Sequence, residues 1–193
     1  MALNVNIPKI ILITGDPGVG KTTLLKKLYD KLSVDTSESL KGFYTEELRD
    51  NSHIRTGFDV IDFKDNQRAP LARLCSAHNA SFPKVGRYSV DLNNFEKIAL
   101  PILKHIIPKT VYLVDEIGKM ESYSKEFERL VSDMMLKINT DNFILVATVP
   151  NRSLSLSDKL KGHPLSKTFT VTFQNRNYIV EEIFNSIKKN FST

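Results

Sequence analysis

The most chemically specific spacing in the sequence lies near its amino terminus. Gly15, Asp16, Pro17, Gly18, Val19, Gly20, Lys21 and Thr22 match the phosphate-binding pattern G-x-x-x-x-G-K-[ST]. Glycines in such a loop open backbone conformations closed to other residues and bring N–H groups against phosphate oxygens. A helix starting at its end aims free amides and a positive dipole end at the same anion. Lys21 is then placed to reach the β- and γ-phosphates, the Thr22 hydroxyl to ligate Mg²⁺, and Thr23 to donate to the α-phosphate. Four fixed positions match by chance in well under ~1% of chains this size. A bound polyphosphate is the expectation.

Phosphoryl transfer also needs a metal anchor and a group that orients the nucleophile. Asp115 ends the apolar run TVYLVD at residues 110–115, where a carboxylate holds the Mg²⁺ of a phosphate loop. Glu116 follows at once, in a position to orient an attacking water or accept its proton. Residues 115–118 also fit D-x-x-G, yet no N-K-x-D base-reading element is found, so the Asp-Glu pairing fits better with water activation through a glutamate. About ninety residues separate Lys21 from Asp115, enough for extra strands to lie between the two motif strands.

The elements around these motifs alternate. Residues 9–14 (KIILIT) are a short, β-branched run that stops at glycine, the profile of a buried parallel strand. Leu24, Leu25, Leu28 and Leu32 follow at helical spacing. Residues 43–48 and 58–63, joined by a polar stretch, predict a hairpin, with weaker strands at 68–74 and 85–91. Asp91 is a good N-cap for a helix carrying Phe95, Ile98, Ala99, Ile102, Leu103 and Ile106, and Pro101 predicts a kink within it. A helix with Phe127, Leu130, Val131, Met134 and Ile138 comes next, then strands at 143–149 and 168–173 and a last helix with Ile179, Val180, Ile183, Phe184 and Ile187. The pattern predicts an α/β fold, a mostly parallel sheet flanked by helices with an added antiparallel hairpin portion, in one domain over residues 1–193.

Composition narrows the class. With 193 residues, 41% apolar and 25% charged, the chain has the make-up of a soluble globular domain. No apolar run approaches the roughly 18 residues needed to span a bilayer, and residues 1–9 lack a signal-peptide layout. One cysteine excludes an internal disulfide and fits a reducing, cytoplasmic setting. The net charge of +5 invites a nucleic-acid partner, but the lysines are dispersed and no basic block occurs.

Several stretches together carry a family resemblance: GDPGVGKTT at 15–23, GFYTEE at 42–47, GFDV at 57–60, VGRYSVDL at 85–92, VDEIGKME at 114–121 and NRN at 175–177. In this order they resemble the THEP-type nucleoside-triphosphatases, the group containing the cancer-related nucleoside-triphosphatase. That resemblance spans nearly the whole chain apart from residues 150–165, which are polar and do not align. It implies Mg²⁺-dependent hydrolysis of ATP, GTP and other nucleoside triphosphates with loose base selectivity, a RecA-like fold and a monomer.

Further candidates carry less specific signals. Transferring phosphoryl charge calls for more than one cation. Arg87, in the VGRY motif, is the first choice for phosphate contact, ahead of Arg68 and Arg73; Arg176, with Asn175 and Asn177, is a candidate for base or ribose contact. Glu46 and Glu47 could approach the metal or water, and Lys119 could position Glu116. His53, His78, His105 and His163 lack metal-ligand spacing, and Cys75 is read as a buried or idle thiol. Two other classes stay open on the residues alone: a nucleotide or small-molecule kinase, against which no arginine-rich lid is visible, and a nucleotide-gated module binding nucleic acid or protein.

Overall fold

The computed structural model describes residues 7–35 and 39–191; most of the amino-terminal stretch read above for a signal peptide lies outside them. Nine strands form one sheet in the order β5-β6-β4-β3-β2-β7-β8-β1-β9. The strands are β1 (Ile10–Gly15), β2 (Ser39–Arg49), β3 (Arg55–Asp62), β4 (Arg68–Leu74), β5 (Lys84–Val85), β6 (Tyr88–Val90), β7 (Thr110–Val114), β8 (Ile144–Thr148) and β9 (Ser166–Val171). Five of them, β2, β7, β8, β1 and β9, run parallel. The others extend the sheet antiparallel beyond β2. The antiparallel portion is thus four strands rather than one hairpin, and residues 84–90 form a second tight hairpin turning at Gly86 and Arg87.

Period-two alternation along the central strands splits the apolar side chains between two cores. Ile11 and Ile13 of β1, Val111 and Leu113 of β7 and Ile144 and Val146 of β8 face helices α1 (Lys21–Asp35) and α5 (Ile179–Lys188). Their sequence neighbours Ile10, Leu12, Tyr112, Val114, Leu145 and Ala147 face α2 (Leu92–Lys104), α3 (Lys125–Lys137) and α4 (Ser155–Lys161). Both faces are covered, which is why these strands read as continuous apolar runs.

Asp91 caps α2 as expected, its Oδ1 accepting the Asn94 N–H at 3.0 Å, and the helix continues through Pro101 to Lys104. Helix α4 falls in the polar stretch that sequence patterning left unassigned; Leu156 and Leu160 are its buried face. Cys75 is exposed, not buried. Among the described residues no helix is long and apolar enough to cross a membrane.

Gly42 sets how closely the two halves of the sheet join. Its φ is +157°, and a Cβ there would stand 2.0 Å from the Leu113 carbonyl oxygen. Only glycine lets β2 lie this close to β7. The Asp115 N–H then donates to the Phe43 carbonyl at 3.1 Å, and Thr45 is carried to the end of β7.

Candidate active site

The carboxyl ends of the parallel strands border a cleft of about 690 Å³. Such crevices are where open α/β sheets bind ligands. The loop between β1 and α1 forms its floor, with Gly15, Asp16, Pro17, Gly18, Gly20, Lys21, Thr22 and Thr23 all on the lining. Val19 instead points away into the core, 1% exposed, and anchors the loop from below. Gly18 and Gly20 take φ of +75° and +109°, the left-handed region that a phosphate-cradling turn requires. Lys21 Nζ donates to the carbonyls of Gly15 and Asp16, at 2.9 and 3.1 Å, and so lies across the loop.

Asp115 closes the site from the opposite strand. It is 1% exposed, and four donors from three elements converge on it. Oδ2 accepts from the Thr22 hydroxyl at 2.8 Å and from the hydroxyl and N–H of Thr45 at 3.1 and 3.2 Å. Oδ1 accepts from the Thr148 hydroxyl at 2.5 Å. These bonds offset the solvation that burial removes. Thr22 spends its hydroxyl hydrogen on Asp115, leaving oxygen lone pairs beside a carboxylate. That is a hard, oxygen-only donor set, and it fits Mg²⁺.

Glu116, joined to Asp115 by a cis peptide bond, also lines the cleft. Burial, then the Asp115 charge, pushes its carboxyl above the usual range, while Lys21 and Arg152 pull it back. Just behind it Glu121 is 4% exposed, its Oε2 accepting the Gly118 N–H at 3.1 Å. Burial, followed by the charge of Glu116, pushes Glu121 up to about 8.

The remaining sequence candidates are dispersed. Arg87 lies outside the cleft lining, at the tip of the β5–β6 hairpin, donating to the Arg55 carbonyl at 2.9 Å. Arg55 itself is on the lining, paired with Glu47, which is also there. Glu46 turns to Lys26 and Arg68 instead. Arg68 and Arg73 hold the buried Asp59, at 3.3 and 2.5 Å, and so brace the antiparallel strands. Asn175 is consumed by its own turn, bonding Thr172 and Thr170. Arg176 stacks 5.1 Å from the Phe173 ring, which borders a smaller groove of about 220 Å³ on the far side of the loop. Lys119 is exposed beyond Glu116.

Sequence reasoning passed over Thr45, Thr148, Asn151 and Arg152. Thr45 sits within the GFYTEE motif, so the signal for it was present. The other three depend on β8 lying between β1 and β7, which spacing alone does not reveal.

That intervening strand puts the molecule in the branch of P-loop proteins whose phosphate-loop and aspartate strands are not adjacent. A family model described as NTPase matches residues 10–184, and the chain belongs to that family. It is 38% identical over 183 residues to the mouse "Cancer-related nucleoside-triphosphatase homolog", spanning 90% of this chain and 93% of that one. It is 36% identical over 187 residues to "Nucleoside-triphosphatase THEP1" of Aquifex aeolicus, spanning 93% and 99%. The crystal structure of the Aquifex aeolicus THEP1 superposes with a TM-score of 0.78 at 35% identity, covering 93% of this chain and 99% of that chain. The solution structure of a human cancer-related nucleoside triphosphatase gives 0.77 at 34%, covering 94% and 98%.

Proposed function

We propose that this chain hydrolyses ATP, GTP and other nucleoside triphosphates to the diphosphate and phosphate, with Mg²⁺ and little selectivity for the base. The observation that carries the reading is the 2.8 Å bond between Thr22 and Asp115, with Glu116 next in the chain and on the same cleft wall. It joins a phosphate cradle, a hard-metal donor pair and a base in one crevice. Gly15 to Thr23 hold the phosphates, with Lys21 turning from the loop carbonyls to the β- and γ-phosphates. Mg²⁺, held by Thr22 and Asp115, would neutralise phosphate charge. Glu116 orients the attacking water and takes its proton, and a carboxyl raised above its ordinary range is a stronger base than a solvated one.

Loose base selectivity is supported by the groove beyond the loop, which offers an exposed aromatic face, Phe173, with Arg176 stacked on it. Every base has a π-face, so stacking discriminates little. Arg176 thereby acts through Phe173, while Arg87 holds the backbone carbonyl of Arg55, a residue of the cleft lining. A cytoplasmic setting accords with the free Cys75 thiol.

Glu116→Gln is the test. Nucleotide binding should stay within about threefold, while phosphate release falls about 10²–10⁴-fold. Hydrolysis at the wild-type rate would remove Glu116 from the mechanism. Transfer of the γ-phosphate to an added nucleoside or monophosphate, in place of phosphate release, would make the protein a kinase.

A further inference from the structure

Among the described residues, three cationic side chains line the cleft: Lys21, Arg55 and Arg152. Lys21 is held across the loop by two carbonyls, and Arg55 is paired with Glu47. Arg152 is exposed to the cleft and makes no hydrogen bond or ion pair with any described residue. It lies close enough to Glu116 for its charge to act on that carboxyl.

The backbone that carries Arg152 is fixed to the phosphate loop. Thr14, at the end of β1, donates to Asn151 Oδ1 at 2.8 Å and to the Val149 carbonyl at 3.2 Å. Asn151 Nδ2 donates to Asp16 Oδ1 at 2.9 Å, so the neighbour of Arg152 is bonded to the loop itself. From the other side Lys161 Nζ donates to the Pro150 carbonyl at 3.2 Å, and Ser153 bonds Asp158 of α4. The turn that carries Arg152 is thus pinned beside the phosphate loop, and its guanidinium stands on the cleft lining with its hydrogen-bonding capacity unfilled.

We propose that Arg152 is a catalytic residue, the arginine supplied by the chain itself that neutralises the phosphoryl group during transfer. The proposal rests on the hydrolase reading above. In the step it serves, the water oxygen bonds to the γ-phosphorus and gives a proton to Glu116. The bond from the γ-phosphorus to the bridging oxygen breaks, and its electron pair leaves on the diphosphate. Charge grows on the bridging oxygen and spreads over the oxygens of the transferring group. A planar guanidinium offers two parallel donors to such oxygens and keeps its charge at every working pH.

The experiment compares wild type, Arg152→Ala and Arg152→Lys in steady-state phosphate release from MgATP and MgGTP. It adds binding of MgADP with and without aluminium fluoride, a mimic of the transferring phosphoryl group. Arg152→Ala should lower kcat about 100-fold or more, with KM and MgADP binding changed less than about threefold. It should lose the tightening that aluminium fluoride gives, and added guanidine should restore part of kcat. Arg152→Lys should fall between. Unchanged kcat in Arg152→Ala overturns the assignment while hydrolysis stands, and so does a raised KM at unchanged kcat, which would make Arg152 a ground-state anchor. If Arg152→Ala fails to fold, Arg152→Lys decides: loss of the aluminium fluoride response at intact MgADP binding supports the assignment, and full retention of kcat and of that response overturns it. A wild type that releases no phosphate from either nucleotide overturns the hydrolase reading and this one with it.

Discussion

Glu121 provides a sharp test of how the site is held together, because it places a carboxyl in the core without a cation beside it. A Cβ built on Gly118 would stand 2.9 Å from Glu121 Oε2 and 3.2 Å from Glu116 Cδ, so the two carboxyls clasp this glycine. Burial, then repulsion from Glu116, raises Glu121 from 4.5 to about 8. The folded chain therefore keeps this proton up to about pH 8, whereas the unfolded chain releases it near 4.5. Between those values the folded state binds more protons. Stability is fully present below pH 4.5 and falls as pH rises towards 8. At about 1.4 kcal/mol for each pH unit, the loss attributable to Glu121 reaches at most about 5 kcal/mol. Glu121→Gln keeps the shape of the neutral acid, and its amide oxygen can still accept the Gly118 N–H. Urea unfolding at pH 5, 6.5 and 8 measures the effect. At pH 5 the variant should match wild type within about 1 kcal/mol, and at pH 8 it should be about 2–5 kcal/mol more stable. Two stability curves that run parallel from pH 5 to 8 would refute this, because Glu121 would then carry no such proton.

Two further substitutions probe the frame around the cleft. Gly42→Ala puts a methyl 2.0 Å from the Leu113 carbonyl oxygen, so β2 must draw away from β7. The expected cost is about 3 kcal/mol in chemical unfolding, with phosphate release falling as Thr45 leaves Asp115; a variant with wild-type stability would mean the strands adjust freely. Asp59→Ala strips Arg68 and Arg73 of the carboxylate that both hold. With the arginines partly exposed, the cost should fall between the roughly 1 kcal/mol of a surface pair and the ~3–5 kcal/mol of a buried one. KM and kcat should change little, and a large loss of kcat at intact stability would show that the antiparallel strands govern the chemistry.

The parts legible in the sequence were those whose determinants are local. The phosphate loop, Asp115 and Glu116 are each marked by an apolar strand that ends where the chemistry begins, and Asp91 announces its helix by a cap three residues from Asn94. Helix α4 was not legible because its two buried leucines stand among five polar residues in a helix of only seven, too short for a period to emerge. Arg87 looked suited to phosphate because it precedes a strand. That strand pairs at the far edge of the sheet, and only a chain of contacts through Arg55 leads back to the cleft. Strand order is a tertiary fact, fixed by which apolar faces are covered by which helices, and no spacing between motifs encodes it.

Strand order also explains how several elements of the chain converge on Asp115. Asp115 accepts from Thr22 of α1, Thr45 of β2 and Thr148 of β8, so its position reports three elements at once. Were β1 paired directly with β7, Thr148 could not stand between the loop and Asp115. The turn after β8 would then leave the sheet elsewhere. Because β8 is interposed, the chain leaving it must pass over the phosphate loop, and Thr14 and Asp16 fasten it there through Asn151. The same insertion that supplies the fourth hydrogen bond to the aspartate thus delivers Arg152 to the cleft. A second cation on the cleft lining beside Lys21 thus follows from the order of the strands.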